Sequence, residues 1–109
     1  MNFNEKVFAI LATIPAGKVT YYGAIARAIG NPRCSRAVGY ALHQAPNAPN
    51  PELLFCHRVV FKDGRLTPDY IFGGKTQQEL LKAEGVVFLP DGETVDMKAS
   101  LFLPEEWQE

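Results

Sequence analysis

Three observations predict a mostly α-helical domain built around a helix-turn-helix, with short β-strands and a hairpin. Apolar residues recur at helical spacing in several separate stretches. Two of these stretches are joined by a tight Gly30-Asn31-Pro32 turn. The β-prone pieces between helices are only a few residues long.

The first stretch, residues 3–16, places Val7, Ile10, Leu11 and Ile14 at i, i+3, i+4 and i+7, one face of a helix. Asn4 is the expected N-cap, and Ile14-Pro15-Ala16-Gly17 the expected stop. Residues 18–21 are short and β-prone. A helix is expected over residues 22–29, with Gly30 ending it, and another from about Cys34 to Gln44, burying Val38, Ala41 and Leu42. Residues 45–51 carry three prolines, which remove backbone donors and make a stiff loop. Residues 53–61 are apolar except for Cys56-His57-Arg58. Lys62-Asp63-Gly64 reads as a turn and residues 67–74 as a loop closing on Gly73-Gly74. A helix returns over 76–84 with Leu80 and Leu81 inward. Residues 86–89 and 94–95 flank Pro90-Asp91-Gly92 as a small hairpin. The tail is expected to pack one face through Leu101, Phe102, Leu103 and Trp107.

A chain of 109 residues, 47% hydrophobic and 21% charged, suffices for one globular domain, expected to span residues 1–109. No stretch approaches the roughly 18 apolar residues of a membrane span. Residues 1–5 lack the basic start and apolar run of a secretory signal, so no membrane association and a cytoplasmic location are expected. Cys34 and Cys56 cannot make a disulfide framework and are expected as free thiols. They form no C-x-x-C pair and only two histidines exist, which disfavours a structural metal site.

The net charge of −1 hides an asymmetry: residues 1–65 hold eight Lys or Arg against three Asp or Glu, and residues 66–109 hold three against nine. The basic half is suited to facing phosphates. The same counts also describe a mixed solvated surface.

Phe55-Cys56-His57-Arg58-Val59-Val60 carries the chemistry. A thiol, an imidazole and a guanidinium lie consecutively inside an apolar run, and burying them costs several kcal/mol unless each finds a partner. A thiol reacts quickly at neutral pH only beside a cation or base. Neighbouring side chains of an extended chain face opposite ways, so Cys56 and His57 need a bridging water or a sharp bend. A carboxylate would orient the imidazole, and Glu84 is a candidate. A buried structural cysteine beside a hydrogen-bonded histidine is the competing reading.

From Val7 to Gly85 the chain resembles the DNA-binding, catalytic domain of the O6-alkylguanine-DNA alkyltransferases, the methylated-DNA–protein-cysteine methyltransferases. The landmarks, in order, are Ile14-Pro15-Ala16-Gly17-Lys18-Val19, Tyr22, Gly30-Asn31-Pro32, Arg36-Ala37-Val38-Gly39, Cys56-His57-Arg58-Val59-Val60, Gly73-Gly74 and Leu80-Leu81-Lys82-Ala83-Glu84-Gly85. Residue pattern and resemblance together give a winged-helix-like domain. The resemblance implies minor-groove binding to double-stranded DNA containing O6-alkylguanine through the second helix of the helix-turn-helix. It also implies rotation of the damaged nucleotide out of the stack. Arg36, with Ser35 and Ala37 beside it, is implied as the DNA contact that fills the vacated space. Tyr22 is implied to crowd the target phosphate and donate a proton to the leaving guanine. Cys56 is implied as acceptor, His57 as its base through a water, and Glu84 as the holder of His57. Tyr70, Gly73 and Arg58 are implied to line the substrate pocket. Each molecule, a monomer, would react once, without metal or cofactor.

The chain departs from the family pattern in places. Phe55 stands where the family has a proline. The bracing asparagine of the longer preceding loop falls on Asn47 or on Asn50. Ile71 and Phe72 replace an expected serine, which implies a more apolar pocket. The domain that precedes this one in many members has no counterpart in these 109 residues, and a single domain without it is the expectation. A stand-alone domain also resembles the alkyltransferase-like proteins, which bind the same lesions without accepting the alkyl group and flag them for nucleotide excision repair. Those usually replace the cysteine, and Cys56 is retained here. A helix-turn-helix regulator with an incidental cysteine is a third reading. Regulators normally dimerise on paired half-sites, and no dimer element is evident.

Overall fold

A computed structural model describes residues 1–44, 55–68, 71–72 and 74–105. Three helices open the chain: α1 (Phe3–Leu11), α2 (Tyr22–Ile29) and α3 (Ser35–Gln44), with the two-residue strand β1 (Thr20–Tyr21) before α2. After one turn of 3-10 helix (Cys56–Arg58) come β2 (Val59–Val60), β3 (Ile71–Phe72), β4 (Lys75–Thr76), α4 (Gln77–Ala83) and α5 (Met97–Ser100). The architecture is mostly helical with short strand pairs, as the sequence predicts.

The helix boundaries follow local chemistry. The cap of α1 is Asn2, not Asn4: Asn2 accepts from the Glu5 backbone N–H at 2.8 Å, and Glu5 accepts from the Asn2 N–H. Asn4 lies inside the first turn. The helix also stops at Leu11, before the expected Pro15 boundary, yet Ile14 still buries beyond its end. Gly30 ends α2 with φ 96°, a left-handed conformation that costs glycine nothing. Asn31 N–H then returns to the Ala26 carbonyl, closing the corner into α3.

β1 and β2 pair in parallel, Thr20 with Val59 and Tyr21 with Val60. Successive strand residues face opposite ways, and this ribbon separates two cores. Val59 joins Val7, Leu11, Ile25 and Val38 beneath the three helices. Val60 joins Val19, Leu81, Val86 and Val95 on the other side. The Cys56–Arg58 turn runs directly into β2 and so lies at the seam.

Three expectations are corrected. Residues 67–74 are not all loop, because β3 and β4 form an antiparallel pair, Ile71 with Thr76 and Phe72 with Lys75. The hairpin over 86–95 shrinks to one bridge, Phe88 to Val95. Only Phe102 of the described tail packs on the core; Leu101 and Leu103 are exposed. Leu101 instead continues the parallel pairing beside Val19. Trp107 lies outside the described residues. Among the described residues no helix is long and apolar enough to cross a membrane.

Candidate functional site

The Cys56-His57-Arg58 segment satisfies its burial requirement by coiling into a 3-10 turn rather than running extended. Arg58 is buried. Its Nε donates to Glu84 Oε1 at 3.0 Å and to Oε2 at 3.1 Å, and its Nη1 to the Ile14 carbonyl at 2.6 Å. Its Nη2 also donates to Glu84 Oε2. The guanidinium lies 3.8 Å above the Phe55 ring, a cation–π contact. Phe55 has φ −83°, near the value a proline would impose. The aromatic replacement therefore keeps the backbone direction and adds a platform for Arg58.

His57 Nε2 stands 3.1 Å from Glu84 Oε1, with both side chains mostly buried. Glu84 is the C-cap residue of α4, a place unfavourable to an acid. Burial works against its charged form, but hydrogen bonds from Arg58 and His57 and their charges prevail, and the carboxyl is held below its ordinary range. Cys56 is half-buried, and burial pushes its thiol up to about 11, against a smaller lowering by a backbone hydrogen bond. At neutral pH the resting group is a thiol, ready to react only when a base removes its proton.

Tyr22, the first residue of α2, shares a 2.8 Å hydrogen bond with Thr67 Oγ1. Its ring packs against Phe61 at 5.6 Å. Parallel register carries β1 into Tyr22 beside the point where β2 reaches Phe61, so the phenol lands on the Cys56 side of the ribbon. A cleft of about 690 Å³ opens there, with Cys56, Tyr22, Thr67, Ser35, Arg36 and Tyr40 among its lining. Arg27, Arg36 and Lys62 also border it, and no Asp or Glu does among the described residues. The chain is net negative, yet this concavity presents cations.

The structure thus brings together Cys56, Tyr22, Ser35 and Arg36 at one cleft, with His57, in the turn that carries the thiol, paired to Glu84 at the end of α4. Ala37 is half-buried and does not line the cleft. Arg58 does not line it either: its donors are turned to Glu84 and the Ile14 carbonyl. Asn47, its alternative Asn50, Tyr70 and Gly73 lie outside the described residues. Sequence reasoning missed Phe55 as a support, Tyr40 as an exposed aromatic of α3, and the Thr67 and Gln77 hydrogen bonds. Tyr40 was detectable, as a bulky residue opposite the buried Val38 and Ala41 stripe. Thr67 and Gln77 carry no local signal.

These features define a helix-turn-helix protein that presents a half-buried, histidine-adjacent thiol at a cationic cleft. The chain belongs to the family described as 6-O-methylguanine DNA methyltransferase, DNA binding domain, whose model matches residues 2–86. It is 43% identical over 83 residues to a methylated-DNA–protein-cysteine methyltransferase of Methanosarcina acetivorans, covering 76% of this chain and 51% of that protein. It is 37% identical over 95 residues to the DNA base-flipping protein of Escherichia coli K12, covering 84% and 68%. The chain therefore spans about half the length of the curated methyltransferases it matches. Among solved structures, S. pombe Atl1 in complex with damaged DNA containing O6-carboxymethylguanine superposes with a TM-score of 0.71 at 34% identity, covering 94% of this chain and 95% of that one. Mycobacterium tuberculosis OGT in complex with DNA gives 0.63 at 37% identity, covering 78% and 50%.

Proposed function

We propose that the protein repairs DNA by moving an alkyl group from O6-alkylguanine to Cys56, once per molecule. The observation that carries this reading is Cys56 in the wall of a cationic cleft, on the same turn as a His57 paired to Glu84. Arg27, Arg36 and Lys62 supply phosphate contacts. Arg36, near the start of α3, fills the gap left when the damaged nucleotide leaves the stack, with Ser35 and Ala37 flanking it. Flipping is required because the exocyclic oxygen is unreachable inside the duplex. Solved relatives bound to DNA support duplex DNA as partner.

In the reaction, His57 takes the Cys56 proton through a water, and Glu84 stabilises the resulting imidazolium. The thiolate attacks the alkyl carbon, forming the S–C bond as the C–O6 bond breaks. Tyr22 gives the departing guanine its proton, and the proton held on His57 returns to Tyr22 through solvent. Guanine is restored and Cys56 ends as a thioether. Tyr70 and Gly73 would complete the base pocket and Asn47 would brace the thiol loop. Arg58 is better assigned to holding Glu84 than to touching the base.

The structural likeness to Atl1 bound to damaged DNA, a TM-score of 0.71 at 34% identity, favours one second reading, lesion binding without transfer that recruits nucleotide excision repair proteins. Intact-protein mass spectrometry after incubation with a duplex containing O6-methylguanine separates the two. A gain of one methylene mapped to Cys56 is expected. No gain, with tight selective binding of the lesion duplex, supports the second reading instead.

A further inference from the structure

α4 touches the thiol-bearing turn at both ends. Gln77 opens the helix and Glu84 caps it, seven residues apart and therefore on one face, two turns from each other. The buried Leu81 lies between them. Glu84 holds the side chains of His57 and Arg58. Gln77 holds the backbone instead. Its side chain is buried, 2% exposed. Its Nε2 donates to the His57 carbonyl at 2.9 Å and to the Val59 carbonyl at 2.8 Å. Its Oε1 accepts the Thr67 backbone N–H at 2.8 Å. Thr67 in turn shares the 2.8 Å hydrogen bond of the Tyr22 hydroxyl.

We propose that Gln77 is a positioning residue that joins the Cys56–Arg58 turn and the Tyr22 hydroxyl into one hydrogen-bonded unit, setting the proton donor for guanine against the acceptor thiol. This rests on the alkyl-transfer reading. An amide suits the position because it offers two donors to two carbonyls and an acceptor to one N–H. A carboxylate would confront both carbonyls with negative charge. An apolar side chain would take this partner from three backbone groups, the buried Val59 carbonyl among them. Small misplacements of reacting groups carry large rate costs, and Tyr22 and Cys56 have no covalent neighbourhood in common.

The test is the single-turnover rate of methyl transfer at saturating lesion duplex, read by mass spectrometry well below the melting temperature, with duplex Kd measured in parallel. Gln77→Met is expected to slow transfer roughly tenfold to a hundredfold and to leave Kd within about twofold. Thr67→Val, which removes the Tyr22 arm alone, is expected to slow transfer less and to cause no further loss in a Tyr22→Phe background. If Gln77→Met does not fold, the Thr67→Val pair decides. Wild-type rates in Gln77→Met, or full additivity of Thr67→Val with Tyr22→Phe, would overturn the inference while leaving the alkyl-transfer reading intact. No transfer by the wild type would overturn both.

Discussion

Glu84 serves two cations at once, and its removal reaches beyond the imidazole. Glu84→Gln leaves the buried Arg58 guanidinium without a countercharge, a change expected to cost about 3 kcal/mol, measurable by urea unfolding. Folding lowers the Glu84 pKa. Its contribution is therefore in place above the ordinary carboxylate range and is lost as pH falls through the folded value. The acid limb of wild-type stability should flatten in Glu84→Gln, and an unchanged limb would remove Glu84 as its source. The Cys56 thiol, pushed up to about 11, should resist iodoacetamide at neutral pH and become reactive as pH climbs toward that value. Peptide mapping of Cys56 across a pH series checks this, and rapid modification at pH 7 would refute it.

At the scale of elements, the Phe61–Arg65 turn anchors the C-terminal segment to β2. Gly64 adopts φ +93°, and a Cβ there would lie 2.3 Å from the Val95 carbonyl. Its own carbonyl accepts the Val95 N–H at 3.0 Å. Gly64→Ala thus meets both backbone strain and a clash with main chain, and should lose about 2–4 kcal/mol. A melting temperature equal to wild type would show that the turn yields freely. α4 depends on no such contact for its start, since Thr76 and Glu79 form a capping box.

Across the whole molecule, charge and concavity coincide: Arg27, Arg36 and Lys62 border the cleft and described carboxylates do not. Duplex binding should therefore weaken steeply with salt, with log affinity linear in log salt concentration. Lys62→Ala should weaken lesion and undamaged duplexes alike and lessen the slope by about one. A slope equal to wild type would take Lys62 out of the phosphate contacts.

Helices α1 to α4 were legible because apolar spacing and the Gly30 stop are local signals, whereas the α1 cap was not placed correctly. So was the Cys56-His57-Arg58 cluster, since three polar groups in an apolar run demand partners whatever the fold. Glu84 was legible as a candidate carboxylate for the imidazole, and Arg36 and Tyr22 through the order of family landmarks. The two-residue strands, the β3–β4 pair, the inward role of Arg58, the Phe55 platform and the Gln77 amide were not. Each depends on a partner remote in the chain: Ile14 for Arg58, Thr67 and His57 for Gln77, Val59 and Val60 for β1. Residue types and spacings determined which groups had to be satisfied and which stretches would coil. Only the tertiary structure decided who satisfies whom, because hydrogen bonds and burial act through space and a short strand gains its stability from its neighbour.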